Sequence, residues 1–198
     1  MFKKIKPTTF EELTMNVFML LSEFDPATFD FSTGISGAKI LASTTGGVTF
    51  ADETEYTDLG EDIDNCPKNC MELKYKEDGN VHISGNLVTL TPEIAVMLVG
   101  SATTTDVTGT GITGKRKKIV PNASISETDF TAELWGITDY GNGGILAIKM
   151  KRVLNTSGFS ISTQDKAKGQ IAFDFTCHKT IDDETDAPYE LYILEPAA

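Results

Sequence analysis

Cys66 and Cys70 bracket Pro67-Lys68-Asn69, and Cys177 is followed by His178, so four side chains of zinc-ligating types occur in this 198-residue chain. A structural zinc needs four ligands arranged as a tetrahedron. Cys177 and His178 fall in a strand pattern, where neighbours point to opposite faces and do not converge on one ion. Three cysteines are an odd number in a chain too large to need staples, which fits free thiols in a reducing compartment. His82, in Val81-His82-Ile83-Ser84, and His178 are the only histidines, so a Ser/His/Asp or Cys/His nucleophile has little to be built from. Both read as ordinary strand residues. The chain is read as a non-enzyme that uses no cofactor and no metal.

Charge is the second candidate for chemistry. Seven acids and no base lie between Ala51 and Asp64: Asp52, Glu53, Glu55, Asp58, Glu61, Asp62 and Asp64. Their spacing does not match the ligand positions or mid-loop glycine of an EF-hand, so the reading is a solvated acidic loop. The one basic cluster is Lys115, Arg116, Lys117 and Lys118. It has no interleaved aromatics to stack bases, and the net charge of −12 repels phosphate backbones. Gly109, Gly111 and Gly114 sit in no strand-to-helix unit and lead into no Gly-Lys-Ser/Thr, so phosphate cradling is unsupported. The Asn-x-Ser triplets at Asn122 and Asn155 carry no weight without a secretory context. Met1-Phe2-Lys3-Lys4-Ile5-Lys6-Pro7 opens like a signal peptide, but Glu11 and Glu12 interrupt the apolar core it would need. No apolar run approaches the roughly 18 residues of a membrane-spanning helix, so no membrane partner is expected.

The elements that must position these groups are mostly strands. A Thr9-x-x-Glu12 capping box suggests a short helical turn before a strand over 14–21, where Met15, Val17, Met19 and Leu21 alternate. Strands over 37–43 and 48–56 are expected to form a hairpin through Thr44-Thr45-Gly46-Gly47, whose glycines suit a tight turn. A second turn, Asp78-Gly79, is expected between strands at 71–76 and 81–90. Thr91-Pro92-Glu93 starts a helix: Thr91 caps, Pro92 suits the first helical position, and Glu93 suits the dipole. Ile94, Met97 and Leu98 form its apolar stripe. Residues 101–128 show no sustained periodicity and read as a long loop, mobile in the free subunit. Further strands follow over 130–139, 145–154, 159–164, 170–177 and 189–194. The expectation is a mainly β protein, a sandwich or barrel with one flanking helix and long loops, forming one domain over 1–198 with an N-terminal arm over about 1–13.

Several strings acquire meaning together: Thr57-Asp58-Leu59-Gly60-Glu61-Asp62-Ile63-Asp64-Asn65-Cys66-Pro67-Lys68-Asn69, Gly158-Phe159, Asp165-Lys166-Ala167-Lys168-Gly169-Gln170-Ile171-Ala172-Phe173 and Pro188-Tyr189-Glu190-Leu191-Tyr192. In order and spacing they resemble the major tail proteins, the tail-tube subunits, of long non-contractile-tailed phages and prophages of Gram-positive bacteria. The likeness runs from Thr9-Phe10-Glu11-Glu12-Leu13 and Phe24-Asp25-Pro26-Ala27-Thr28 to the last strand, and departs from the family pattern at Cys70 and in 101–128. It implies a tail-tube β fold whose copies form hexameric rings that stack into a hollow tube around a tape-measure protein, with other tail proteins as partners. It also implies assembly in the bacterial cytoplasm, residence in the virion tail, and passage of DNA through the tube.

The residues suit that task in their own right. Sheet edges can be joined between subunits, and an acidic wall does not adhere to DNA. The basic run 115–118 is expected to order against an acidic surface of a neighbouring copy, with the 52–64 acids as the candidate partner. Two other readings share the β-richness: a receptor- or carbohydrate-binding module of a phage tail tip, and a tube subunit of a contractile tail or secretion system. The former would want aromatic platforms, and the chain has a single Trp, Trp135.

Overall fold

The computed structural model describes residues 14–35, 40–77, 79–109, 116–163, 165–166, 168–182 and 185–196. The expected N-terminal arm and the Thr9 capping box lie outside them. In chain order the elements are β1 (Thr14–Leu21), β2 (Ile40–Glu53), β3 (Tyr56–Asp58), β4 (Lys74–Lys76), β5 (Asn80–Leu87), α1 (Pro92–Val99), β6 (Ala102–Asp106), β7 (Lys117–Pro121), β8 (Thr131–Tyr140), β9 (Gly144–Asn155), β10 (Ser160–Ser162), β11 (Gln170–Cys177) and β12 (Tyr189–Leu194). The mainly β expectation with one α-helix holds among the described residues, and no helix there is long and apolar enough to cross a membrane.

Eight strands form one antiparallel sheet in the order β10-β11-β5-β2-β1-β8-β9-β12. A further pairing of β11 with β9 closes six of them into a ring. Both closing strands divide their length between two partners on one side. Strand β9 pairs with β12 over Ile145–Met150 and with β11 over Val153–Asn155. Strand β11 pairs with β10 over Gln170–Ala172 and with β9 over Phe175–Cys177.

The change of partner on β9 falls at Arg152. Its φ of 49° lies in the left-handed region, unusual for a long side chain. Immediately before it, the Lys151 amide donates to the Pro188 carbonyl, and the Arg152 carbonyl accepts from the His178 amide. The guanidinium spans both branches, donating from Nε to His178 O at 3.0 Å and from Nη2 to Asp186 Oδ2 at 2.8 Å. Three residues on, the buried Asn155 seals the seam. Its Nδ2 donates to Leu98 O (2.6 Å) and Gly158 O (2.9 Å), and its Oδ1 accepts from the Asp174 amide (2.9 Å). The Asn-x-Ser triplet at Asn155 is therefore spent on internal bonding.

Two apolar clusters lie on either side of the β1-β8-β9 sheet. The larger contains Leu20, Ile83, Leu87, Leu134, Met150, Val153, Phe173 and Phe175, and is completed by Ile94 and Leu98 from α1, with Met97 packed beside it. The smaller contains Leu21, Trp135, Ile137, Ile145 and Ala147, covered by Phe24, Phe29 and Phe31 of the 22–35 segment. Successive residues Leu20/Leu21 and Leu134/Trp135 thus serve opposite faces, as strand alternation requires. Gly136 continues it: a Cβ there would meet the Phe18 ring at 2.1 Å, so the ring occupies the space a side chain would take. Helix α1 begins as expected, with Thr91 Oγ1 accepting from the Ile94 amide and Pro92 in the first turn.

Three sequence expectations are corrected. Thr44-Thr45-Gly46-Gly47 does not reverse the chain. Gly46 and Gly47, at φ 75° and 91°, form a bulge inside one 14-residue strand, because β5 pairs continuously across it from Thr45↔Asn86 to Val48↔Gly85. Gly85 opposite leaves room for the Gly47 carbonyl, 3.1 Å from where its Cβ would sit. Nor does Asp78-Gly79 join a hairpin: β4 pairs with β3, while β5 pairs with β2 and β11. Gly79 is instead pressed against the Glu53–Thr54 backbone, where a Cβ would meet atoms at 2.5 Å; Asp78 lies outside the described residues. Finally, the 101–128 segment is not a featureless loop, because β6 and β7 pair from Ala102↔Pro121 to Asp106↔Lys117.

Leu98 is fully buried, so Leu98→Ala should destabilise the fold by about 2–5 kcal/mol. Asn155→Ala leaves two carbonyls and an amide without their partner and should cost about 3 kcal/mol. Urea unfolding of both variants measures these losses.

Candidate functional site

The sequence-derived basic cluster divides. Lys115 lies outside the described residues. Arg116 is exposed at the start of the second hairpin arm, its carbonyl accepting from the Val107 amide at 2.9 Å. Lys117 and Lys118 are in β7, and Lys117 Nζ sits 3.4 Å from Asp106 Oδ1 across the ladder. One of the four cations is thus paired within its own hairpin. The hairpin is footed on a polar knot: Asn122 donates to Ser101 Oγ and accepts from Thr103 Oγ1, and Ser101 Oγ donates to Ser124 O. Beyond that foot, Thr103–Asp106 and Lys117–Pro121 are exposed apart from the partly buried Ile119, and Val107 and Val120 are open to solvent. An isolated two-stranded ribbon is marginal in water.

The seven acids are likewise of two kinds. Asp52 accepts from Tyr189 Oη at 2.9 Å and from Thr54 Oγ1, and the Thr54 bond chiefly holds its carboxyl below the usual range. Glu53 lies 3.8 Å from His82 Nε2, whose Nδ1 is 2.9 Å from Asp174. Asp58 organises the turn that follows it. Its two oxygens accept from the Gly60 and Asn69 amides, both at 3.0 Å, and Lys74 Nζ is 3.4 Å away. Those two amides hold its carboxyl below the ordinary range, so Asp58 is engaged in the turn rather than freely solvated as the acidic-loop reading had it. Glu55, Glu61, Asp62 and Asp64 are exposed and form the outward acidic face. Among the described residues no ion pair joins this face to Arg116, Lys117 or Lys118.

Sequence reasoning missed the open edge of the sheet. Among the described residues, strand β12 has a partner on one side only. Tyr192 and Leu194 pack inward, with Tyr192 5.7 Å from the Trp135 ring, while Leu191 and Ile193 are 55% and 59% exposed. The signal was present: Tyr-Glu-Leu-Tyr-Ile-Leu carries apolar groups on both faces, more than a strand covered on one face can bury. At the far end of the sheet, β10 places Ile161 on an edge strand, beside exposed Phe159.

The remaining candidates for chemistry have structural surroundings. Among the described residues no three His, Cys, Asp or Glu side chains gather into a possible metal site. Burial pushes the Cys177 thiol up to about 11, and the His178 ring meets Phe130 edge-on at 5.0 Å. The three cysteines are free. No protein-family model matches the chain, and a search of curated proteins found no match.

Strand β12 is tied down by charge. Lys151 Nζ lies 2.9 Å from Asp186 and 2.8 Å from Glu190. Hydrogen bonds from Lys151, and for Asp186 also from Arg152, hold both carboxyls below their ordinary values of 3.8 and 4.5. Glu190 and then Asp186 raise Lys151 above 10.5. The carboxylate contribution is complete above the ordinary values and is lost as pH falls through the lower native ones. The Lys151 contribution is complete below 10.5 and is lost as pH rises through its higher native value. Asp186→Asn should therefore flatten the acid limb of a stability-against-pH curve. Thermal unfolding from pH 2 to 6, bracketing those ordinary values, measures it.

Proposed function

We propose that this chain is a non-catalytic structural subunit that assembles with copies of itself, of the tail-tube type its sequence resembles. The observation that carries this reading is the β6–β7 hairpin: a charged two-stranded ribbon, exposed on both faces beyond its foot, standing off the main sheet. Such a ribbon gains most from a second surface. The open β12 edge and its exposed Leu191 and Ile193 supply the apolar contact that charge pairing lacks, since exposed ion pairs are each worth only about 0–1 kcal/mol. In this reading Arg116 and Lys118 steer and register a neighbour whose matching face is Glu55, Glu61, Asp62 and Asp64. Lys117 is committed to Asp106.

The resemblance further suggests hexameric rings stacked into a virion tail tube around a tape-measure protein. The acidic balance suits a wall past which DNA moves without sticking.

Purified protein examined by negative-stain electron microscopy should form rings or tubes. Arg116→Glu with Lys118→Glu should leave a folded monomer that assembles slowly, and reversing Glu61, Asp62 and Asp64 to Lys should restore the rate. Leu191→Lys with Ile193→Lys should abolish assembly with the fold intact by circular dichroism. Persistent glycan-binding monomers or trimers would replace this reading with the tail-tip module. Normal tubes from the Arg116/Lys118 variant, with no effect of ionic strength, would remove the hairpin from the assembly surface.

A further inference from the structure

The turn after β3 holds two thiols against one another. Asp58 clamps both ends of the segment through the Gly60 and Asn69 amides. The Leu59 amide donates to the Leu73 carbonyl at 2.9 Å, the Leu73 amide to Cys70 O at 3.2 Å and the Cys66 amide to Ile63 O at 3.2 Å. Asn65 and Asn69 both take φ of 61°, folding the chain back on each side of Cys66-Pro67-Lys68. As a result Cys66 Sγ and Cys70 Sγ face the same atom, the Pro67 carbonyl oxygen, at 3.6 and 3.1 Å. Both residues are partly exposed. Cys66 is also seated against Gly60, whose added Cβ would lie 2.9 Å from its sulfur. Cys177, by contrast, lies toward the interior at the end of β11.

We infer that Cys66 and Cys70 are a redox-sensitive pair that closes to an intramolecular disulfide on meeting a low-molecular-weight disulfide such as oxidised glutathione. One cysteine thiolate attacks a glutathione sulfur, forming a protein–glutathione disulfide and releasing one glutathione thiolate. The second cysteine thiolate attacks the protein sulfur of that mixed disulfide, forming the Cys66–Cys70 bond and releasing the other. The two cysteines lose two electrons and the glutathione disulfide gains them; the two cysteine protons pass to the released thiolates. In a reducing compartment the turn stays open, and in an oxidising exterior it is stapled beside the acidic face. Burial, then the Cys70 thiol, raises Cys66 above its ordinary value, so closure should accelerate with rising pH. The pair depends on the turn alone and not on any assembly surface.

The test is a tryptic map of the full chain after equilibration in glutathione buffers and quenching with an alkylating agent. Closure joins the peptide ending at Lys68 to the one beginning at Asn69, and reduction separates them. Cys177→Ala should leave the joined peptide unchanged, and Cys66→Ser should convert Cys70 to a stable glutathione adduct. In urea the ratio of closed to mixed disulfide should fall about tenfold, because the folded turn supplies the high local thiol concentration. Separate glutathione adducts on Cys66 and Cys70 of the native chain, or equal closure in urea and in buffer, would overturn the inference.

Discussion

The architecture depends on one constraint: a ring of six strands can close only if β9 and β11 each give up part of an edge already claimed by another strand. Arg152 resolves this on β9 by leaving the extended region, at φ 49°, so that hydrogen bonding along the one shared edge passes from the segment leading into β12 to the end of β11 between Lys151 and Arg152. An arginine in that conformation costs of order 1–3 kcal/mol. The cost is offset because its guanidinium bonds His178 on one branch and Asp186 on the other. Asn155 completes the closure by binding helix, turn and strand with one amide group. The helix is therefore fixed to the seam as well as to the core through Ile94 and Leu98.

The last third of the chain was legible in sequence because its strands combine alternation with unambiguous turn residues, and β11 and β12 fall where the pattern puts them. The helix was legible because its signals are local: cap, proline, acid and stripe lie within eight residues. What was misread depends on distant partners. Two glycines at positive φ serve a hairpin turn or a bulge equally well, and only β5, more than thirty positions away, decides for the bulge. Asp78-Gly79 was misleading in the same way: the glycine is needed for close approach of the Glu53–Thr54 backbone, a contact that leaves no local pattern. Residues 101–128 showed no periodicity because a ribbon exposed on both faces has no buried side to impose one.

The same distinction governs the candidate site. Charge clusters are visible in sequence, but their division into internal and outward groups is not. Asp58 looks like one more acid in an acidic run, yet it nucleates a turn by accepting two amides, while Glu61, Asp62 and Asp64 beside it face solvent. Lys117 looks equivalent to Lys118, yet strand register places Asp106 opposite it. Spacing alone likewise left Cys66 and Cys70 as two thiols on a loop. Their approach to one carbonyl follows from the two left-handed asparagines and the Asp58 clamp.

Closing the ring does not remove the edge problem; it relocates it. The branch at Arg152 that lets β11 meet β9 pushes β12 outward, and the matching branch on β11 carries β10. Among the described residues, β10 and β12 are the two strands of the large sheet left with an unpaired side by this closure, and such edges are ordinarily blunted by charge, proline or brevity. Strand β10 is blunted by brevity, being three residues long. Strand β12 is not: it is six residues long, contains no proline, and its one charged residue, Glu190, is drawn to Lys151. The Lys151–Asp186–Glu190 cluster thus ties β12 and the segment before it to β9 while occupying the charge that would otherwise protect the edge. In the assembly proposed above, this edge, with Leu191 and Ile193 exposed on it, is where a second copy would gain apolar contact, while the basic ribbon and the Glu55, Glu61, Asp62 and Asp64 face would set its register.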